Sequence, residues 1–188
     1  MDNRNQILKC ALDLFAARGY AAVGVQEISE TAGVTKPTLY HYFGSKQGLL
    51  AAVFEHYHTP FARSIQQASE YHGDLPLTLD RIAQAYFNFA MREPVYYRLL
   101  LGFVFSPREG DDCKMAEEVN ARQFTAIEQV FIQAVHEHGN LRGRHRLYAA
   151  TFIGLLNTCI SLWLNGHSQL DETLRQRVLH QFQHGIYS

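Results

Sequence analysis

Residues 35 to 46 read TKPTLYHYFGSK and crowd groups suited to a nucleic acid into one short stretch. Lys36 carries an ammonium for guanine or phosphate. Thr38 offers a hydroxyl to a base edge and a methyl to thymine, and Pro37 an apolar contact that spares an amide. Tyr40 and Tyr42 hold hydroxyl tips on stiff rings, which suits phosphate and so sets register more than it reads sequence. Lys46 adds a charge where a following helix would begin, beside amides that attract an anion. Three adjacent residues cannot share one helical face, so part of Tyr40-His41-Tyr42 must be exposed, and an exposed aromatic cluster usually marks a binding surface.

The flanking pattern supplies elements to hold such a surface. Ile7, Leu8, Ala11, Leu14 and Phe15 recur at helical spacing after Asn3 and Gln6, a plausible cap pair, and Gly19 ends that helix. Val25, Ile28 and Ala32 mark a short second helix that stops at Gly33. Thr35 can cap a third, whose first turn tolerates Pro37 because amides there lack a helical partner anyway. Leu39 and Phe43, four apart, are its inward side, which leaves Lys36 to Thr38 and Tyr40 to Tyr42 outward. Two short helices joined through a glycine, behind a supporting first helix, form the helix-turn-helix arrangement. Gly44 then breaks the third helix and Ser45 caps a longer fourth.

Within residues 15 to 50, the run AGVT-x-x-TLYHYF-x-SK resembles the N-terminal domain of the tetracycline-repressor (TetR) family of bacterial transcriptional regulators. The resemblance implies a homodimer that binds a palindromic double-stranded DNA operator through the third helix of each subunit and is released by a small-molecule effector in the C-terminal domain. Carried onto this chain, it implies base-edge contacts from Lys36, Pro37 and Thr38, and phosphate contacts from Thr35, Tyr40, His41, Tyr42 and Lys46. One departure stands out: the family places a threonine or serine at the start of the second helix, where this chain has Val23-Gly24-Val25.

Beyond Tyr71 the helical pattern continues to a count of nine, with no convincing strand, so an all-α fold is expected. Its helix-turn-helix domain spans 1–46 and its effector-binding and dimerisation domain 47–188. Tyr86, Phe89, Tyr96, Phe103, Phe105, Phe124 and Trp163 give this larger part aromatic walls for an apolar or aromatic effector, with Asn157 to orient it. Ordinary core packing is the better explanation of any single one of them, and only the set favours an effector. The last two helices carry more apolar surface than one inward stripe needs, and Phe152, Leu155, Leu162 and Leu179 are the candidates for a dimer interface.

Composition excludes several other classes. With 47% hydrophobic and 19% charged residues the 188-residue chain is that of a folded globular protein. Cys10, Cys113 and Cys159 fit no metal-ligand spacing, and the N-terminus has no apolar run, so a reducing, cytoplasmic setting is expected. Leu147 to Leu170 contains no Asp, Glu, Lys or Arg, but its asparagines, threonines and glycine suit burial against protein, so no membrane span is expected. HEHG at 136 to 139 lacks the second histidine of a metalloprotease, and no phosphate loop or nucleophile elbow is present, so neither enzyme nor cofactor is expected. His180 and His184 stand four apart on a helix; they read as an exposed pair, and no metal is expected. The net charge is −1, and residues 1 to 58 balance Arg4, Lys9, Arg18, Lys36 and Lys46 against Asp2, Asp13, Glu27, Glu30 and Glu55. That balance, with the missing hydroxyl, motivates a second reading: a helical small-molecule or protein binding module that keeps the fold without binding an operator.

Overall fold

A computed structural model describes residues 2–104 and 111–185, with side chains left out for 111–117, 119 and 140. Nine α-helices and one 3₁₀ turn, Gly139–Leu141, account for its regular structure, with no strand among the described residues. The helices are α1 (Asn3–Arg18), α2 (Val25–Thr31), α3 (Lys36–Phe43), α4 (Lys46–Ala68), α5 (Leu75–Arg92), α6 (Pro94–Val104), α7 (Asp111–Ala134), α8 (His145–Leu164) and α9 (Glu172–His184). The side chains of Phe105 and Cys113 lie outside the described residues.

Two compact units make up the chain: Met1–Pro60 with Val95–Val119, and Phe61–Pro94 with Asn120–Ser188. Their edges differ from a cut at residue 46. The first half of α4 buries Leu49, Leu50, Val53 and Phe54 in the first unit, and α6 joins it through Tyr96, whose ring packs edge-on to Phe54 at 6.1 Å and stacks on Tyr57 at 5.6 Å. Pro60 sits inside α4 at the division, where its ring removes the backbone donor that would have bonded the preceding turn.

In the first unit α1, α2 and α3 pack on one another around Ile7, Leu8, Ala11, Phe15, Ile28, Ala32 and Leu39. The α2–α3 turn follows from Gly33, which takes φ +65°. Its N–H donates to the Glu30 carbonyl at 3.1 Å, and the Val34 N–H to the Ser29 carbonyl at 3.0 Å, the paired bonds that satisfy the end of α2. A Cβ at Gly33 would meet nothing within 4 Å, so Gly33→Ala tests backbone conformation alone. The expected loss is about 1–2 kcal/mol, read by chemical denaturation.

The cap of α1 differs from the one read in sequence. Asp2, not Asn3, is the N-cap, and its carboxylate accepts the Arg4 N–H at 3.1 Å. Gln6 is instead committed elsewhere: its side-chain amide donates to the Ala32 carbonyl at 2.9 Å and ties α1 to the end of α2.

The second unit is built on α5, against which α8 and α9 pack. Phe61 stacks on Phe89 at 4.1 Å and meets Tyr86 edge-on at 5.1 Å. Burial pushes the phenols of Tyr86 and, in the first unit, Tyr96 upward. Across the unit, Arg175 of α9 pairs with Asp80 of α5, and Asp171 caps α9 by accepting the Leu174 N–H at 2.8 Å. Helix α8 is long and apolar enough to cross a membrane by length and composition, with a mean hydropathy of 1.6. Its threonines bond back into the helix, Thr151 to the Leu147 carbonyl and Thr158 to the Gly154 carbonyl, each at 2.8 Å.

Candidate nucleic-acid interface

Helix α3 is eight residues long and held from beneath. Leu39 is 0% exposed and Phe43 9%, while Tyr40 is 47% and Tyr42 40% exposed. Lys36, Pro37 and His41 are exposed with them, and Thr38 is half-buried. The face read from sequence therefore forms one surface. Its helix starts at Thr35, whose hydroxyl receives the Thr38 N–H over a long 3.4 Å and lies 2.9 Å from the Thr38 hydroxyl. Either hydroxyl can donate in that contact, since the Thr35 oxygen has a second lone pair beside the one that takes the amide. The capping pair thus fixes the rotamer of a base-reading candidate. His41 and Tyr42 pack edge-to-face at 5.4 Å, which stiffens the second patch of donors.

Gly44 takes φ +70° and lets the chain turn from α3 into α4, where Ser45 accepts the Gly48 N–H at 2.9 Å. Lys46 then opens a 23-residue helix, and the dipole of that helix adds to its own attraction for phosphate. Its Nζ lies 4.1 Å from the centroid of the Tyr20 ring, a contact that holds the ammonium in place beside the reader helix. Tyr20 itself packs edge-on to Phe15 at 5.2 Å. Sequence reasoning missed this support, because residues 20 and 46 lie on different elements with no periodicity between them. It missed two more for the same reason: Arg18 pairs with Glu27 across the α1–α2 corner, and Arg4 lies 5.7 Å over the Phe43 ring.

The start of α2 explains the departure at Val23-Gly24-Val25. Gly24 is the N-cap in an extended conformation, with no side-chain bond to the helix. Val23 precedes that cap, Ile28 is the fourth residue of the helix, and both are buried to 1% exposure or less. Those are the two positions of a hydrophobic staple, so the segment trades a hydroxyl cap for apolar anchorage.

A cleft of about 150 Å³ lies in the first unit, lined by Phe15, Gly19 and Tyr20 at the end of α1 and by Leu99, Gly102 and Phe103 of α6, among others. Of the residues nominated for an effector pocket, Phe103 lines it. Tyr96 is also in the first unit, fully buried among Phe54 and Tyr57. Tyr86, Phe89, Phe124, Asn157 and Trp163 belong to the second unit. Tyr86 and Phe89 are core, packed on Phe61 as described. Phe124 is half-buried beneath the Arg146 guanidinium at 5.2 Å, and Asn157 and Trp163 are half-buried on α8.

The interface candidates divide as well. Phe152 is fully buried 5.0 Å from Phe182, and Leu179 is 6% exposed, so both serve the interior of their own unit and leave no surface to a partner. Leu155 is half-buried and Leu162 is 44% exposed.

Residues 7–53, which include all of α2 and α3, match the sequence profile of the bacterial regulatory proteins, tetR family. That segment carries the N-terminal domain of the TetR family. Relatives extend the match over most of the chain's length. The HTH-type transcriptional activator FasR of Mycolicibacterium smegmatis is 29% identical over 91% of this chain and 76% of its own. The HTH-type transcriptional repressor NemR of Escherichia coli K12 is 25% identical over 89% and 83%. In fold the chain is similar to the transcriptional regulator FadR from Bacillus subtilis in complex with stearoyl-CoA, with a TM-score of 0.78 at 18% identity over 97% of this chain and 99% of that one. These named relatives are transcriptional regulators, and a TetR-family regulator binds DNA through the domain that contains α3.

Proposed function

We propose that this chain is a TetR-family repressor that binds a palindromic operator as a homodimer and is released by a small apolar or aromatic effector. The observation that carries the reading is the division of α3: Leu39 and Phe43 lock the helix to α1 and α2, while Lys36 to Thr38 and Tyr40 to Tyr42 face outward as one donor-rich surface. The base-edge role falls to Lys36, Pro37 and Thr38, and the phosphate role to Thr35, Tyr40, His41, Tyr42 and Lys46.

A dimer is supported by one face of α8. Leu147, 67% exposed, is followed by exposed Thr151, Gly154, Thr158 and Leu162 at spacings of three and four, an apolar and small-residue stripe with its threonine hydroxyls already satisfied. Leu155 borders it. Covering such a stripe with the same stripe of a second copy gives a two-fold helical contact. An apolar effector is supported by the fold shared with a regulator solved with stearoyl-CoA, a ligand that belongs to that protein. α4 has residues in both units, Lys46–Pro60 and Phe61–Ala68, and is the element through which an effector would bias the reader. One named relative activates and another represses, so the sign is tested directly. A gel shift with fragments flanking the coding region, followed by transcription from the retained fragment, should show retention and lower transcript. Retention with raised transcript makes the chain an activator, and no retention at low salt favours the non-operator binding module.

Two substitutions separate the roles within the site. Lys46→Ala is expected to weaken binding alike for every sequence and to lower the salt slope by about 1. Thr38→Ala should cost about 1–3 kcal/mol on the preferred site and little elsewhere. Fluorescence anisotropy on matched and scrambled duplexes reads both, and equal losses on all sequences for both variants would undo the assignment.

A further inference from the structure

We propose that His180 and His184 form a bidentate site for a borderline transition-metal ion such as Ni²⁺, Cu²⁺ or Zn²⁺ in the last turn of α9. From spacing alone this pair carried no expectation of metal; the geometry points the other way. Both residues are exposed on the same face, and their ring centroids lie 4.5 Å apart at an interplanar angle of 42°. An ion held about 2.0–2.1 Å from one nitrogen of each ring, with a ligand angle of about 90–110°, places the two centroids roughly 4.5–5.2 Å apart. The observed separation lies at the near end of that range, so the spacing of the two rings is compatible with one ion held between them.

The position favours a cation for a second reason. The pair occupies the C-terminal turn of a 13-residue helix, where the unsatisfied carbonyls carry the negative end of the dipole. Two imidazoles select nitrogen-preferring ions over Mg²⁺ and Ca²⁺, which require oxygen. Among the described residues no group of three or more His, Cys, Asp or Glu is placed to hold an ion. The site is thus an open one, completed by water and exchangeable, and not a closed structural centre. Its effect on the protein is local: bridging residues 180 and 184 staples the end of α9.

The test is calorimetric titration of the full chain, carrying no purification histidines, with Ni²⁺ and Zn²⁺. One ion per chain is expected, with Ni²⁺ bound more tightly than Zn²⁺ and Mg²⁺ not bound. Because the second nitrogen binds within one helix, His180→Gln and His184→Gln should each lose about 100-fold in affinity. His167→Gln, at an exposed histidine between α8 and α9, should lose nothing. Losses within about threefold for the paired variants, an equal loss in His167→Gln, or half an ion per chain would each overturn the single-chain site. If either variant misfolds by circular dichroism, Cu²⁺ electron paramagnetic resonance on the unaltered chain decides. Coupling to two ring nitrogens supports the proposal, and coupling to one or none rejects it.

Discussion

Replacing Leu39 by alanine is expected to abolish tight operator binding while leaving the second unit folded. Leu39 is fully buried between the reader helix and its two supports, and removing its branched end costs about 2–5 kcal/mol in lost transfer energy and cavity. An eight-residue helix has almost no stability of its own, since isolated helices below about 12–15 residues are marginal in water. A loss of that size lowers the equilibrium constant for docking α3 by roughly 30-fold to several thousand-fold. Apparent DNA affinity then falls in proportion to the docked fraction once that constant drops to about one or below. Anisotropy with the preferred duplex measures the fall, and circular dichroism should keep most of its helical signal, because α5, α8 and α9 are untouched. Leu39→Met, which preserves volume, should cost less than about 1.5 kcal/mol and retain binding. Normal binding by Leu39→Ala would mean that α3 is held by something other than its buried face.

Phe61→Ala should give the largest loss of stability in the second unit. The Phe61 ring is fully buried, stacks on Phe89 at an interplanar angle of 8° and meets Tyr86 at 81°. Truncating it removes about 3–5 kcal/mol of packing, with about 0.5–1.5 kcal/mol for each aromatic pair contained in that figure or added to it. For a chain of this length each kcal/mol moves the melting temperature by about 2–4 °C, so a fall of at least 6 °C is expected. Thermal unfolding followed at 222 nm checks this, with Phe61→Leu between the two. A change below about 1 kcal/mol would show that the cluster is loosely packed and that Phe61, Tyr86 and Phe89 wall a space instead of filling one.

What was legible in the sequence was set by local physics. The 3.6-residue period separated Leu39 and Phe43 from the outward residues of α3. Thr35 and Ser45 announced helix starts because a short side-chain oxygen before an apolar run has few other uses. Gly33 and Gly44 announced ends, and both take positive φ. What stayed hidden depends on contacts between distant residues. Nothing near Gln6 signals that its amide reaches the Ala32 carbonyl, 26 residues away, and that engagement leaves Asp2 to cap α1. Nothing near Lys46 signals the ring of Tyr20. The same blindness affected the larger part of the chain: aromatic and leucine content alone could not tell that Phe152 and Leu179 serve their own interior, while the exposed stripe of α8 runs through Leu147, Gly154 and Leu162. It also hid the division between the two units at Pro60, inside the continuous α4, because a proline in an apolar helical run does not say which neighbours each half of the helix will find.

The central claim, that two copies of this chain read DNA through the outward face of α3, is tested most directly by footprinting the full-length protein on a genomic fragment it retains. Two protected half-sites with centres about one helical turn apart, each losing its guanine-specific interference signal in Lys36→Ala, are the predicted result. A single protected patch, protection spread evenly along the fragment, or a footprint unchanged by Lys36→Ala would contradict it.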